Sequence, residues 1–130
     1  MTKRPVAIGL ALCEQAIVEE NTRNITLVNC FTRLNVRAFP AASQRLAVFV
    51  TLIDGLGRGS FDLVVEHLDS LDEIHTQRRE VEFKDSLQEV RLLFRLNECS
   101  IPRPGRYQVS LFADRELVTQ RVFSVHQIGG

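Results

Sequence analysis

The strongest constraint on this chain is the alternation of its last quarter, Ile101 to Val125. Tyr107, Val109, Leu111 and Ala113 fall on one face, Gln108 and Ser110 on the other, and Phe112 is the exception. A half-buried antiparallel strand requires this pattern, because successive side chains point to opposite faces. A corner marked by Pro104 and Gly105 precedes the strand, and a three-residue turn, Asp114-Arg115-Glu116, leads to a second one ending near Val125. A tyrosine entering the second-last strand from a Pro-Gly corner fits the closing hairpin of an immunoglobulin-like sandwich.

The same patterning runs upstream. Val6 to Cys13 reads as a first strand, and Ala16–Glu20 and Ile25–Thr32 flank the polar turn Asn21–Asn24 as a hairpin. Arg45–Ile53 is apolar on both faces and rich in β-branched residues, so it belongs in the centre, covered on both sides. Asp54–Gly59 holds three glycines and reads as a turn with positive φ. Phe61, Leu63 and Val65 share one face of the next strand. Glu73–Lys84 is polar, with Val81 and Phe83 pointing inward, which marks a charged edge strand. Val90, Leu92, Phe94 and Leu96 form another buried face. The expectation is one all-β domain over residues 1–130, an immunoglobulin-like antiparallel sandwich of about eight strands.

Composition narrows the function classes. Sixteen basic residues balance sixteen acidic ones, so no global field draws the chain to nucleic acid or to an anionic membrane. The apolar run behind Lys3 and Arg4 is short and leads into Glu14, unlike a signal peptide, and no run reaches membrane-spanning length. Cys13, Cys30 and Cys99 form no CxxC pair and sit in apolar contexts, which predicts buried free thiols and a cytoplasmic location.

Signals for chemistry are weak. His67 and His75 flank one connection and, with Asp69 or Asp72, would make a metal site; exposed polar positions explain them as well. No GxSxG motif is present, the glycine turn precedes a strand rather than a helix, and the acidic runs lack calcium-loop spacing. The chain is therefore read as no enzyme, with neither cofactor nor metal.

One segment exceeds what a hairpin needs. Arg33–Arg45 links two core strands and carries three arginines around Phe39-Pro40. Ordered long connections are often functional, and arginine beside an aromatic suits a protein contact. Strand parity puts this loop at the same end as Asp114-Arg115 and the His67–Asp72 connection. Arg33, Arg37, Phe39, Asp114 and Arg115 are thus the candidate binding residues, with the alternative that Phe39 and Pro40 only cap the core.

The run from Leu12 to Glu20, Ile25 to Phe31, Phe39-Pro40, Leu52 to Gly57, Pro104 to Tyr107 and Phe123 to Val125 resembles a family of small uncharacterised bacterial all-β proteins. Members often carry Asp-Gly where this chain has Asp114-Arg115, a departure that implies a different turn geometry. The resemblance implies the fold and carries no catalytic residues. Together these readings predict a non-catalytic binding or adaptor module that meets a protein partner, or a second copy of itself, through end loops or an edge strand. The alternatives are a small-ligand or carbohydrate-binding module, disfavoured by the lack of tryptophan, and a metal-dependent enzyme built on His67 and His75.

Overall fold

The computed structural model describes residues 1–129, with side-chain surroundings given for all of these but 42–44 and 98. Nine strands form two sheets: β1 (Val6–Val18), β2 (Ile25–Cys30), β3 (Arg33–Val36), β4 (Ala41–Ile53), β5 (Gly57–His67), β6 (Glu73–Phe83), β7 (Val90–Ile101), β8 (Gly105–Ala113) and β9 (Glu116–Gln127). The first sheet has the order β2-β1-β4-β7 and the second β3-β9-β8-β5-β6. All pairings are antiparallel except that of β3 with β9. Among the described residues there is no helix.

The alternating faces meet in one core. Leu46, Val48, Val50 and Leu52 of β4 and Leu92, Phe94 and Leu96 of β7 lie against Phe61, Leu63 and Val65 of β5 and Tyr107, Val109 and Leu111 of β8. β6 is the edge expected, with Phe83 buried, Val81 packed on the core and Arg78, Glu80 and Glu82 exposed.

Among the described residues the outer face of β4 is covered at Ala47 only, Arg45 being exposed and Phe49, Thr51 and Ile53 half-buried. The covering element follows a path the sequence did not announce. β1 is one continuous strand rather than two, and its distal half leaves β4 after Cys13, which is the last residue in register with it. From there the β1–β2 hairpin bends back over the outer face of the sheet. Arg95 of β7 reaches past Ala47 to donate to Ala16 O at 3.3 Å. Cys13, Ala16 and Ala47 are buried together, with Leu27 and Leu93 packed against them. This second, smaller core has small side chains where the hairpin approaches most closely.

The corner before β8 is built as expected. The Tyr107 hydroxyl donates to Arg103 O at 2.6 Å, and its ring stacks on Phe123 at 5.5 Å. Gly105 sits at φ +126, and a Cβ there would lie 2.9 Å from His67 Nε2. His67 is therefore not an exposed turn residue: it is buried, with one ring nitrogen on Pro104 O and the other on Ser70.

Three further expectations are corrected. The Arg33–Arg45 connection is mostly strand, since β3 and β4 leave only four residues between them, including a cis Phe39-Pro40 bond. Cys30 is exposed, although Cys13 and Cys99 are buried. The β8–β9 turn has two residues, with Ala113 opposite Glu116 and φ +47 at Asp114 and +72 at Arg115. Positive φ at both central positions is the type I′ geometry that Asp-Gly itself would adopt, so Arg115 does not change the turn. It occupies a backbone region that disfavours a side chain.

Two stability outcomes follow. Arg115→Gly removes that strain at the expense of unfolded-chain entropy, and raises stability by about 0.5–1 kcal/mol in urea unfolding. Tyr107→Phe leaves the ring in place but removes the hydrogen bond, and lowers stability by about 1–2 kcal/mol with an unchanged denaturant slope.

Candidate functional site

The candidate residues separate into two groups. β3 lies beside the C-terminal part of β9, with Arg33 opposite Ser124 and Val36 opposite Gln127, whereas Asp114 and Arg115 precede the first residue of β9. At about 3.3 Å per residue the groups lie roughly 30 Å apart. The expected shared end is thus half right: the His67–Asp72 connection joins the Arg33 end, because His67 pairs with Tyr107 and Gly105 with Val125.

At the Arg33 end, the departure of β1 from β4 opens a cleft of about 600 Å³ lined by Glu14, Asn29, Phe31, Arg33, Asn35 and Arg45. Arg33 Nε donates to Asn35 Oδ1 at 3.1 Å. Arg37 is exposed, and its carbonyl accepts from the Gln127 amide at 3.2 Å. Phe39 is half-buried and packs on the main core, so it serves first as a cap.

At the other end, Asp114 Oδ1 accepts from the Ser60 amide at 2.9 Å and Oδ2 lies 3.4 Å from the Met1 ammonium. The Ser60 hydrogen bond holds the Asp114 carboxyl below the usual aspartate range. A depressed folded value contributes stability above the unfolded value, and that contribution is lost as pH falls through the folded one. Asp114→Asn therefore lowers stability at neutral pH and flattens its decline below about pH 4, as read by thermal melts across the acid range.

Residues that sequence reasoning passed over form two other surfaces. On one flank, β2 pairs only with β1 from Cys13 onward, and β3 pairs only with β9 from Ser124 onward. The first half of β1 and Glu116–Val122 of β9 are left as neighbouring open edges, tied by Arg121 donating to Leu10 O at 2.8 Å. Val6, Ile8, Leu117 and Val122 are exposed there, Ile8 at 56%. On the opposite flank, a concavity under the hairpin tip is lined by Arg23, Arg79, Arg91 and Arg95, with Glu89 the one acid.

Thiol and imidazole chemistry finds little footing. Burial pushes the Cys99 thiol up to about 11 and raises that of Cys13, so neither is a ready thiolate. Both ring nitrogens of His67 are engaged, and among the described residues no three His, Cys, Asp or Glu side chains converge as metal ligands. Among the described residues no helix is long and apolar enough to cross a membrane.

No curated protein matches the chain. Similar solved structures include the Pseudomonas fluorescens alkylpurine DNA glycosylase AlkC bound to DNA containing an abasic site analog, 14% identical at a TM-score of 0.47, covering 72% of this chain and 27% of that one. Another is a beta-glucosidase from Listeria innocua in complex with isofagomine, 12% identical at a TM-score of 0.45, covering 91% of this chain and 16% of that one. The chain thus spans about a quarter and a sixth of these two proteins. The model described as "Family of unknown function (DUF6941)" matches residues 9–126, and the chain belongs to that family.

Proposed function

We propose that this protein is an immunoglobulin-like sandwich acting as a non-catalytic binding module, which takes an extended segment of a protein partner along its open flank. The observation that carries the reading is the pair of neighbouring open edges, Val6–Ala11 of β1 and Glu116–Val122 of β9, bordered by four exposed aliphatic side chains. A free edge offers main-chain donors and acceptors to an added strand, and alternate side chains give it specificity. The immunoglobulin-like reading is supported by the strand orders, by β3 joining β9 in parallel after β1 and β2 have paired in the other sheet, and by the tyrosine at the entry to β8. The raised thiols of Cys13 and Cys99 and an engaged His67 support the non-catalytic reading, and three free cysteines support a cytoplasmic setting. The competing contact surface is Arg33 at the end cleft with Arg37 nearby in the chain, both exposed.

Hydrogen exchange of the pure protein tests the open edge. The outward amides of Leu117–Val122 exchange at least tenfold faster than those of Ser124–Gln127, which β3 covers. A protein captured from cells is then released by Leu117→Lys with Val122→Lys and retained by Arg33→Ala with Arg37→Ala. Equal protection along β9, or the reverse pattern of release, contradicts the edge. Mass measurement at micromolar concentration separates a second copy from another protein as the partner.

A further inference from the structure

The arginine concavity lies on the flank away from the open edges and is independent of them. It measures about 610 Å³, is open to solvent and is bordered by the tip of the β1–β2 hairpin, the start of β7 and the edge strand β6. That volume suits a small organic ligand. Arg91 and Arg95 stand on the outer face of β7, because Leu92, Phe94 and Leu96 between and beside them fill the core. β6 supplies Arg79, and the hairpin turn supplies Arg23.

How these cations are held distinguishes them from ordinary surface arginines. Arg79 donates through one guanidinium nitrogen to Leu93 O at 2.8 Å, and its guanidinium carbon lies 4.6 Å from the centre of the Phe94 ring. Arg95 is fixed by Ala16 O. Both are oriented by neutral carbonyls, which position a guanidinium without cancelling its charge. Among the described residues, the one ion pair in the concavity is Arg91 with Glu89, at 3.9 Å. Two held guanidiniums and two exposed ones against one carboxylate leave a local positive field in a chain that is neutral overall. Each guanidinium has five N–H donors in a plane, so Arg79 and Arg95 keep most of theirs for a ligand.

The chemistry that satisfies such donors is an oxyanion with several acceptor oxygens, and phosphate matches the fork geometry in bidentate fashion. We infer that this concavity binds a small metabolite carrying two or more phosphate groups, with the phosphates on Arg23, Arg79, Arg91 and Arg95 and the remainder against Leu93 and Val90. A small molecule is favoured over a polymer because Arg23, Arg79, Arg91 and Arg95 converge on one concavity, whereas Arg45 and Arg33 beyond it share their clefts with Glu14.

Calorimetric titration of the purified chain with sodium tripolyphosphate at low salt tests this. The expected result is one site per chain with a dissociation constant below about 1 mM, weakening as salt is raised. Arg23→Gln and Arg91→Gln each weaken it about tenfold, and Arg91→Lys, which keeps the charge but not the fork, weakens it less. Both side chains are exposed, so both variants fold, and a melting curve checks this. Arg58→Gln, on the exposed start of β5 in the other sheet, leaves the affinity unchanged. No saturable binding below about 10 mM, or equal weakening by Arg58→Gln, overturns the proposal. Tighter binding of a 15-residue oligothymidylate or of phosphatidylglycerol vesicles, lost in the same two variants, overturns it in favour of a nucleic acid or a lipid surface.

Discussion

At Ala47 the central strand β4 is kept from water on both faces, and the rest of the structure follows from how that is done. Its inner residues Val48, Val50 and Leu52 meet the second sheet, as in any two-layer β protein. Its outer face carries Ala47 between Cys13 and Arg95, a row that would lie open if the first sheet were flat. The β1–β2 hairpin solves this by turning back across the sheet. Burial of Cys13, Ala16 and Ala47 stabilises the crossing, and the small size of these side chains permits it.

Both proposed surfaces are consequences of that crossing. A hairpin that leaves its own sheet edge cannot cover it, so the first half of β1 remains unpaired beside β9. Where the hairpin tip comes to rest, it closes a space over β7 whose outward residues are arginines. The Arg95 bond to Ala16 O joins the two events, since the same side chain anchors the hairpin and lines the concavity. The edges and the concavity belong to one construction.

Much of the fold was legible because alternation is a local property. Phe61, Leu63 and Val65, or Tyr107, Val109 and Leu111, state their faces within a few residues of sequence, and the double apolar character of Arg45–Ile53 announced a central strand, whose second cover reaches only Ala47. The tyrosine corner was legible for the same reason, since its hydrogen bond spans four residues. What was not legible depends on distance along the chain. Nothing local says that Ala16 will meet Arg95, or that Arg23, Arg79 and Arg91 will share a space. His67 looked exposed because its turn is polar, yet Gly105 leaves room for the imidazole against the Pro104 carbonyl. The end loop looked long because a four-residue parallel strand has too little pattern to reveal itself.

The crossing of the hairpin is the claim on which everything else rests, and methyl-labelled nuclear magnetic resonance reads it directly. Overhauser contacts from the methyl groups of Ala16 and Leu27 to those of Ala47 and Leu93 are the predicted result. A hairpin without those contacts, its Thr22 and Arg23 amides moving independently of the sheet, would contradict the account.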